Sequence, residues 1–176
     1  EKRINFYINQ YESKKCFHLS SLQKEAIFGA IKHRFLIING GAGVGKTTLL
    51  DALYSVLHKL DIIPVQVALA GKAAKRMAEA TNQEAYTIAR FIRNFNAKDY
   101  EGRQLVIVVD ESSMVDLPSM YRLLRCVPNS AHVIMLGDIG QLPPVDFGLV
   151  FHELVPMHDI PKITLTEVRR QDKHSN

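Results

Sequence analysis

This 176-residue chain contains no tryptophan, only two cysteines and no long apolar run. Cys16 and Cys126 stand far apart and match neither a metal-binding nor a redox spacing. They therefore argue against a disulfide scaffold and indicate a reducing, cytoplasmic compartment. No apolar stretch approaches the roughly 20 residues of a membrane span, and residues 1–10 do not resemble a signal peptide. No repeat or low-complexity tract is visible. We therefore expect neither a secreted disulfide-rich protein, nor a membrane partner, nor a repeat protein.

The composition is that of a globular domain, with 47% apolar and 23% charged residues. The length fits one α/β domain or one domain with a short appendage. Lys and Arg outnumber Asp and Glu by 16 to 9 in residues 1–105, whereas acids outnumber bases by 9 to 6 in residues 106–176. A basic region can attract polyanions and an acidic cluster can hold a metal ion. Charge alone leaves ordinary surface scatter equally open.

All-apolar strands alternate with amphipathic helices along the chain. The pattern predicts strands over 35–39, 63–70, 105–110 and 132–138, with a possible fifth over 162–166. It predicts helices over 46–60, 71–81, 84–95 and 117–127, with Pro118 in the first turn of the last one. Apolar strands without polar alternation belong to parallel sheets that helices cover on both faces. We therefore predict an α/β fold whose ligands bind at the carboxyl ends of the strands.

The first predicted strand runs into a glycine-rich segment, GGAGVGKTT. Gly40, Gly45, Lys46 and Thr47 fill the pattern G-x-x-x-x-G-K-[ST], in which backbone N–H groups cradle phosphate oxygens. The following helix adds its positive end, Lys46 supplies a charge for the β- and γ-phosphates, and Thr47 supplies a hydroxyl for Mg²⁺. The predicted nucleotide-binding residues are Gly41, Ala42, Gly43, Val44, Gly45, Lys46, Thr47 and Thr48.

The third predicted strand, LVIVVD, ends in Asp110 and is followed by Glu111. A charge at the end of an apolar strand is costly unless something compensates for it. Mg²⁺ does so for Asp110, while Glu111 can polarise the water that attacks the γ-phosphate. We therefore predict Thr47 and Asp110 as metal ligands and Glu111 as the catalytic base.

The fourth predicted strand leads into GDIGQLPPV, residues 137–145. An amide such as Gln141 can accept a hydrogen bond from water and donate one to phosphate without charge repulsion, so it can sense the nucleotide state. Pro143 and Pro144 stiffen the segment behind it, so a movement at Gln141 would be transmitted. The pattern suggests coupling of hydrolysis to a second ligand, although an ordinary proline-stiffened loop remains an alternative.

Five segments together resemble a known family: GGAGVGKTT, GKAAKRM, VVDESSMVD, GDIGQLPPV and LTEVRRQ, in this order and spacing. The set resembles the first RecA-like motor domain of superfamily 1 helicases, closest to the RecD-like branch. The resemblance covers roughly residues 19–172, so we divide the chain into a lead-in segment, 1–18, and a motor domain, 19–176. It implies ATP and Mg²⁺ as cofactors and 5′ to 3′ movement on single-stranded DNA. A second RecA-like domain outside this chain and helicase–nuclease subunits are the partners it suggests, in DNA repair or recombination.

The resemblance also implies roles for single residues. Gln23 matches a glutamine that recognises adenine, and Arg170 matches an arginine that reaches the γ-phosphate. The predicted catalytic residues are Lys46, Glu111, Gln141 and Arg170. The DNA-binding residues that it implies are Gly71, Lys72, Ala73, Tyr86, Thr87, Pro143, Pro144 and Val145. Lys75 and Arg76 either add charge there or form a solvated helix face.

The sequence departs from the family pattern at four places. Ala42 and Val44 replace a proline and a threonine that are more usual in the phosphate loop, and supply no side chain that the chemistry requires. Leu69-Ala70 stands where Pro-Thr is usual, which removes a hydroxyl for a DNA phosphate, and Ala89 stands where a histidine is usual. We therefore expect DNA binding to differ in strength or mode.

Two other interpretations stay open at this point. A P-loop ATPase of another kind, acting on a protein client, would lack the GDxxQLPP segment. A nucleotide-binding regulatory module without turnover would not need Lys46, Thr47, Asp110 and Glu111 together. A small-molecule kinase is disfavoured by Glu111, because kinases must keep water from the γ-phosphate.

Overall fold

A computed structural model describes residues 1–166 of the chain. The helices within this range are α1 (Lys2–Lys15), α2 (Ser21–Lys32), α3 (Lys46–Lys59), α4 (Gly71–Thr81), α5 (Ile88–Asn94), α6 (Leu117–Cys126) and α7 (Val150–Leu154). The strands are β1 (Phe35–Gly40), β2 (Ile63–Ala68), β3 (Ala85–Thr87), β4 (Leu105–Asp110), β5 (His132–Gly137) and β6 (Lys162–Leu165). Short 3₁₀ turns lie at Ala97–Tyr100 and Ser112–Met114.

The strands form one parallel sheet in the order β3-β2-β4-β5-β1-β6. Side chains alternate between its two faces, so Leu36 and Ile38 join one apolar cluster and Ile37 joins the other. Helices α1, α2 and α3 contribute to the first cluster, and α5, α6 and α7 to the second. The predicted α/β fold, a RecA-like parallel sheet with helices on both faces, is confirmed.

Local hydrogen bonds set the helix starts that the sequence predicts. Asp116 caps α6 through a bond from Ser119 N to its Oδ1 (2.7 Å), and Pro118 occupies the first turn, where its missing N–H costs nothing. Gly45 in the left-handed region begins α3 directly after the phosphate loop. These boundaries place the loop at the carboxyl edge of the sheet.

The predicted helix over 84–95 is wrong in its first turn. Ala85–Thr87 form β3, which pairs with β2, and the helix begins only at Ile88. The fully buried Gln66 causes this, because its Nε2 donates to the carbonyls of Gln83 (2.9 Å) and Glu84 (3.2 Å) and draws the segment against β2. Thr87 then accepts a bond from Arg90 N (3.1 Å) and caps the shortened helix.

The amino-terminal helix α1 packs on the motor fold. Ile8 is completely buried in the first apolar cluster. Tyr11 donates to Asp51 of α3 (2.8 Å), and Lys15 forms an ion pair with the same carboxylate (3.0 Å). Within residues 1–166, no helix combines the length and apolar character needed to cross a bilayer.

Candidate active site

The carboxyl edge of the sheet brings together most of the predicted site residues. Along this edge, β3 ends at Thr87, β2 leads to Gly71, β4 ends at Asp110 and β5 runs into residues 137–145. Strand β1 follows and ends in the phosphate loop. The residues implied for DNA on β3 and after β2 therefore lie at one end of the edge and the phosphate loop towards the other. Asp110 and the Gln141 loop, which carries the remaining residues implied for DNA, lie between them.

The phosphate loop turns because two glycines adopt positive φ angles, 78° at Gly43 and 86° at Gly45. Lys46 begins α3 and donates from Nζ to the carbonyls of Gly40 (2.5 Å) and Gly41 (3.2 Å). The ammonium group therefore lies across the mouth of the loop. This position suits a charge that exchanges a carbonyl partner for a phosphate oxygen.

Val44 has a structural role that the sequence analysis missed. Its side chain is buried, and a methyl group on Gly40 would lie 2.8 Å from Val44 Cγ2. The loop is therefore anchored into the core through Val44, and Gly40 is required by this close approach. The signal was an aliphatic residue inside a glycine-rich loop.

Asp110 and Glu111 stand at the end of β4. Asp110 Oδ1 accepts from Glu111 N (2.8 Å), and Glu111 adopts a left-handed conformation with φ of 50°. Burial raises the pKa of Asp110 above its ordinary range, and the charge of Lys46 partly opposes this. The positive charge of Lys46 therefore acts on the Asp110 carboxyl.

Two polar residues beside this site were not predicted. Asn39, near the end of β1, accepts from Ile139 N (3.2 Å) through Oδ1 and so ties the β5 loop to β1. Asp138 accepts from Gly140 N (2.8 Å), and its Oδ2 lies 3.8 Å from the point where a Cβ on Gly41 would stand. The signals for them were an amide at the end of an apolar strand and an acid in a Gly-Asp turn.

Tyr54 of α3 adds a third polar group near the strand end. Its hydroxyl is buried without a hydrogen-bond partner among the described residues. Burial, and then the charge of Asp110, raises the pKa of Tyr54 well above its ordinary value. A neutral phenol therefore lies near the Asp110 carboxylate.

The loop after β5 turns tightly and then presents apolar side chains to solvent. Gln141 is exposed, and its N–H donates to Asp138 O (3.1 Å). Beyond it, Leu142 is 76% exposed, Val145 99% and Phe147 77%. A bond from Leu117 N to Phe147 O (2.9 Å) fixes the far end of the loop to α6. Pro143 and Pro144 lie between these anchors, so the loop is tied down at both ends.

Gln23 lies beside the phosphate loop, 2% exposed. Its Oε1 accepts from Ser20 N (2.9 Å) in the capping box of α2, and its Nε2 donates to Gly45 O (3.1 Å). One lone pair and one N–H of the amide remain beyond these two bonds. Gln23 therefore joins α2 to the loop and keeps a donor and an acceptor available.

The residues implied for DNA differ in exposure. Gly71 and Lys72 are exposed at the start of α4, whereas Ala73 is buried. A Cβ atom added to Gly71 would lie 4.0 Å from Cγ2 of Thr87. The segment that follows β2 therefore lies next to the end of β3. The Tyr86 hydroxyl donates to Glu84, and the Arg90 guanidinium lies over its ring at 5.4 Å.

Two further positions were named in the sequence analysis. Lys75 pairs with Glu79 at 3.9 Å on the solvated face of α4, as in the alternative left open above. Arg170 lies outside the described residues. Strand β6 ends at Leu165, in register with Gly40 of the phosphate loop.

The sheet order, the phosphate loop and the acidic end of β4 define a P-loop ATPase domain with a RecA-like fold. The sequence profile of a family described as "AAA domain" matches residues 18–176, and the chain belongs to that family.

Several of the similar proteins are RecD-type helicases. The chain is 35% identical over 159 residues to the ATP-dependent RecD2 DNA helicase of Deinococcus radiodurans, covering 87% of this chain and 22% of that protein. It is 34% identical over 165 residues to the RecBCD enzyme subunit RecD of Haemophilus influenzae, covering 75% of this chain and 26% of that subunit. The resemblance to the RecD-like branch is confirmed, and the chain spans about a quarter of the length of these relatives.

Solved structures agree on the fold. The crystal structure of Pif1 helicase from Candida albicans superposes with a TM-score of 0.60 at 24% identity, covering 88% of this chain and 41% of that one. A Pif1 structure described as a basis for DNA unwinding at forked double-stranded DNA gives 0.61 at 22% identity, covering 90% of this chain and 46% of that one.

Proposed function

We propose that this chain is the ATP-binding and ATP-hydrolysing motor domain of a helicase or translocase that moves 5′ to 3′ on single-stranded DNA. The observation that carries the proposal is the position of the Gln141 loop. It follows β5, which lies between β4 and β1, the two strands whose ends form the nucleotide site, and the ends of β2 and β3 lie beyond β4 along the same edge. The relationship to RecD-type helicases supports the same function.

Nucleotide binding uses the loop and the start of α3. The N–H groups of residues 41–48 and Lys46 hold the phosphates, and Gln23 reads the edge of adenine with its remaining donor and acceptor. The Thr47 hydroxyl and the half-buried Asp110 carboxylate are oxygen ligands of the kind that Mg²⁺ takes beside nucleotide phosphates. Bound there, Mg²⁺ would neutralise charge on the β- and γ-phosphates.

Glu111 is the catalytic base for ATP hydrolysis. Its backbone is left-handed, and strained conformations of this kind concentrate at functional sites. Glu111 accepts a proton from the attacking water while Lys46 and Arg170 stabilise the charge that develops on the γ-phosphoryl group. The water oxygen bonds to the γ-phosphorus while the bond to the bridging oxygen opposite it breaks, and ADP leaves with that oxygen and the electron pair.

Coupling to DNA passes through the loop after β5. Gln141 changes its hydrogen bonds when the γ-phosphate leaves, and Pro143, Pro144 and Val145 transmit the movement to DNA. The single-stranded DNA is held near the ends of β2 and β3 by Gly71, Lys72, Tyr86 and Thr87. Ala73 contributes through its backbone. Because Leu69-Ala70 lacks a hydroxyl, this hold depends more on backbone N–H groups and Lys72.

A second RecA-like domain of the natural protein completes the site by supplying groups from the opposite side of the nucleotide. Catalysis by groups placed from both sides makes the chain alone a weak ATPase. Helicase–nuclease subunits are further proposed partners, because one relative is the RecD subunit of a RecBCD enzyme.

The test is ATP turnover of the full-length protein with and without single-stranded DNA, at two salt concentrations. We expect strong stimulation that falls as salt rises, because phosphate contacts release counterions. Lys46→Ala provides the matched control and should abolish tight ATP binding and turnover. Healthy basal turnover without stimulation by DNA would overturn the DNA motor and favour an ATPase with a protein client.

A further inference from the structure

The pairing of β1 with β5 ends at Asn39 and Gly137, and the loop that carries Gln141 begins directly afterwards. Past this pair the Asn39 side chain continues the connection, because its Oδ1 accepts from Ile139 N (3.2 Å). Only the oxygen of an amide side chain can accept from an N–H, so this bond fixes the orientation of the Asn39 side chain. Asn39 therefore joins β1 to a residue two positions beyond the end of the strand pairing.

The bonds around Ile139 pass this restraint on to Gln141. Asp138 Oδ1 accepts from Gly140 N (2.8 Å), and Asp138 O accepts from Gln141 N (3.1 Å). Residues 138–141 therefore form one hydrogen-bonded turn, which the Asn39 amide holds against β1. Because Asn39 is only 9% exposed, little water competes for its oxygen.

The start of the loop is closely packed on its other side. A Cβ on Gly137 would lie 3.0 Å from Ser113 N, after β4, and 3.0 Å from Phe151 Cζ in α7. The backbone therefore has no room to shift in that direction. Within residues 1–166, the bond from Ile139 N to Asn39 is the one side-chain hydrogen bond between β1 and the loop, so Asn39 decides how the loop sits on the β1 side.

Asn39 also stands next to the phosphate loop. It precedes Gly40, whose carbonyl accepts from Lys46 Nζ. When a phosphate oxygen takes over the Lys46 ammonium, the Gly40 carbonyl loses this partner. Nucleotide binding thus changes the contacts of the residue beside Asn39, at the strand end that holds the Gln141 loop.

We propose that Asn39 is a positioning residue that couples the phosphate loop to the Gln141 loop. The inference rests on the proposed motor function and deepens it by adding a residue that lies outside the sequence motifs. Asn39 acts through Gln141: its Oδ1 sets where the Gln141 turn stands beside the γ-phosphate. Without the bond, residues 138–141 remain a turn but lose their link to β1, and the Gln141 amide is no longer held in the productive geometry.

The test is ATP turnover of the full-length protein at saturating ATP, measured against the concentration of single-stranded DNA. Asn39→Leu keeps the branched shape of the side chain and removes the acceptor. It should lower the maximal DNA-stimulated rate about fivefold, the scale of one hydrogen bond, and leave the DNA concentration for half-maximal stimulation within about twofold. Asn39→Asp retains an oxygen acceptor and should restore most of the stimulated rate. Thr164→Val, at the exposed position of β6 in register with Asn39, is the matched control and should change neither value.

A double variant separates positioning from general support of the fold. If Asn39 acts through Gln141, Asn39→Leu combined with Gln141→Ala should match the rate of Gln141→Ala alone within about twofold, because both changes remove the same interaction. Hydrogen exchange of the backbone amides of this chain gives a readout that needs no turnover. Asn39→Leu should speed exchange at Ile139, whose N–H loses its acceptor.

Four outcomes would overturn the inference: an unchanged stimulated rate in Asn39→Leu, an Asp variant as slow as the Leu variant, losses that multiply in the double variant, or unchanged exchange at Ile139. The unaltered protein tests the proposed function itself. If single-stranded DNA does not stimulate its turnover, the DNA motor fails and this inference fails with it. Normal stimulation of the unaltered protein without an effect at Asn39 removes this inference alone.

Discussion

At the scale of single residues, the site concentrates features that a stable fold would avoid. Glu111 adopts a left-handed backbone conformation, which is unusual for a residue other than glycine. Burial raises the pKa of the Asp110 carboxyl above its ordinary range. Each costs free energy, and such costs persist where function requires them. The sequence predicts both residues from their place after an apolar strand, but not their conformation or protonation, which depend on neighbours from other strands.

The first prediction concerns Glu111→Gln. The amide keeps the size of the side chain but cannot accept a proton, so ATP binding should persist while single-turnover hydrolysis falls by at least about 100-fold. Equilibrium ATP binding and a single-turnover assay measure the two effects. Glu101→Gln, on an exposed turn, is the control. Hydrolysis at the parent rate would remove Glu111 as the base.

The second prediction concerns Glu12→Gln and pH. Burial opposes ionisation of Glu12, but hydrogen bonds from Lys24 and Leu19 N–H and nearby positive charges outweigh it and lower the pKa below the ordinary value of 4.5. The native state therefore binds fewer protons than the unfolded state near that pH. The stabilisation is fully present above pH 4.5 and is lost as the pH falls through the lowered native pKa.

Urea unfolding of both proteins between pH 7 and pH 3 checks this sign. The variant should be less stable by about 1–3 kcal/mol at pH 7, and the difference should shrink as the pH drops. Glu25→Gln on the exposed face of α2 should show no such trend. A difference that grows towards acid would contradict the assigned pKa shift.

At the scale of elements, the buried strands could be predicted and the short edge strand could not. β1, β4 and β5 are long apolar runs bounded by polar turns, so their pattern reports directly on burial. β3 has three half-buried residues and exists because Gln66, 15 or more positions earlier, bonds to the turn before it. No local pattern encodes that long-range contact.

The third prediction belongs to the loop between β5 and α7. Gln141→Ala should leave ATP binding within about twofold and reduce stimulation of turnover by single-stranded DNA about tenfold, because hydrogen bonds to the transferred phosphate are lost. Turnover of the full-length protein against DNA concentration measures it. Asp146→Asn, exposed in the same loop, should leave the coupling intact. Equal losses of ATP binding and DNA stimulation would make Gln141 merely structural.

At the scale of the whole molecule, the sequence predicts that the polar strand ends meet at one edge of a parallel sheet, as they do, but it treats residues 1–18 as a lead-in to the motor domain. The pattern of an amphipathic helix shows that one face is apolar but not which element packs against that face. The packing of α1 on α3 could therefore not be predicted from its sequence. In the structure, α1 contributes Ile8 to the main apolar cluster, Tyr11 and Lys15 to Asp51, and Glu12 to the turn beside the nucleotide site. Fold and site therefore share this helix.

The fourth prediction decides whether α1 is a detachable lead-in or part of the domain. Ile8→Ala should lower the free energy of unfolding by about 2–5 kcal/mol, since Ile8 is fully buried and its loss leaves a cavity between α1 and the core. Phe6→Ala is the matched control, because Phe6 is 62% exposed on the same helix and its replacement should change stability by only about 0.5 kcal/mol. Urea unfolding followed by circular dichroism measures both. If Ile8→Ala costs no more than Phe6→Ala, α1 does not belong to the cooperative unit, and the domain begins after residue 18. If it costs the expected amount, α1 belongs to the cooperative unit of the motor domain, and the boundary after residue 18 is not a domain boundary.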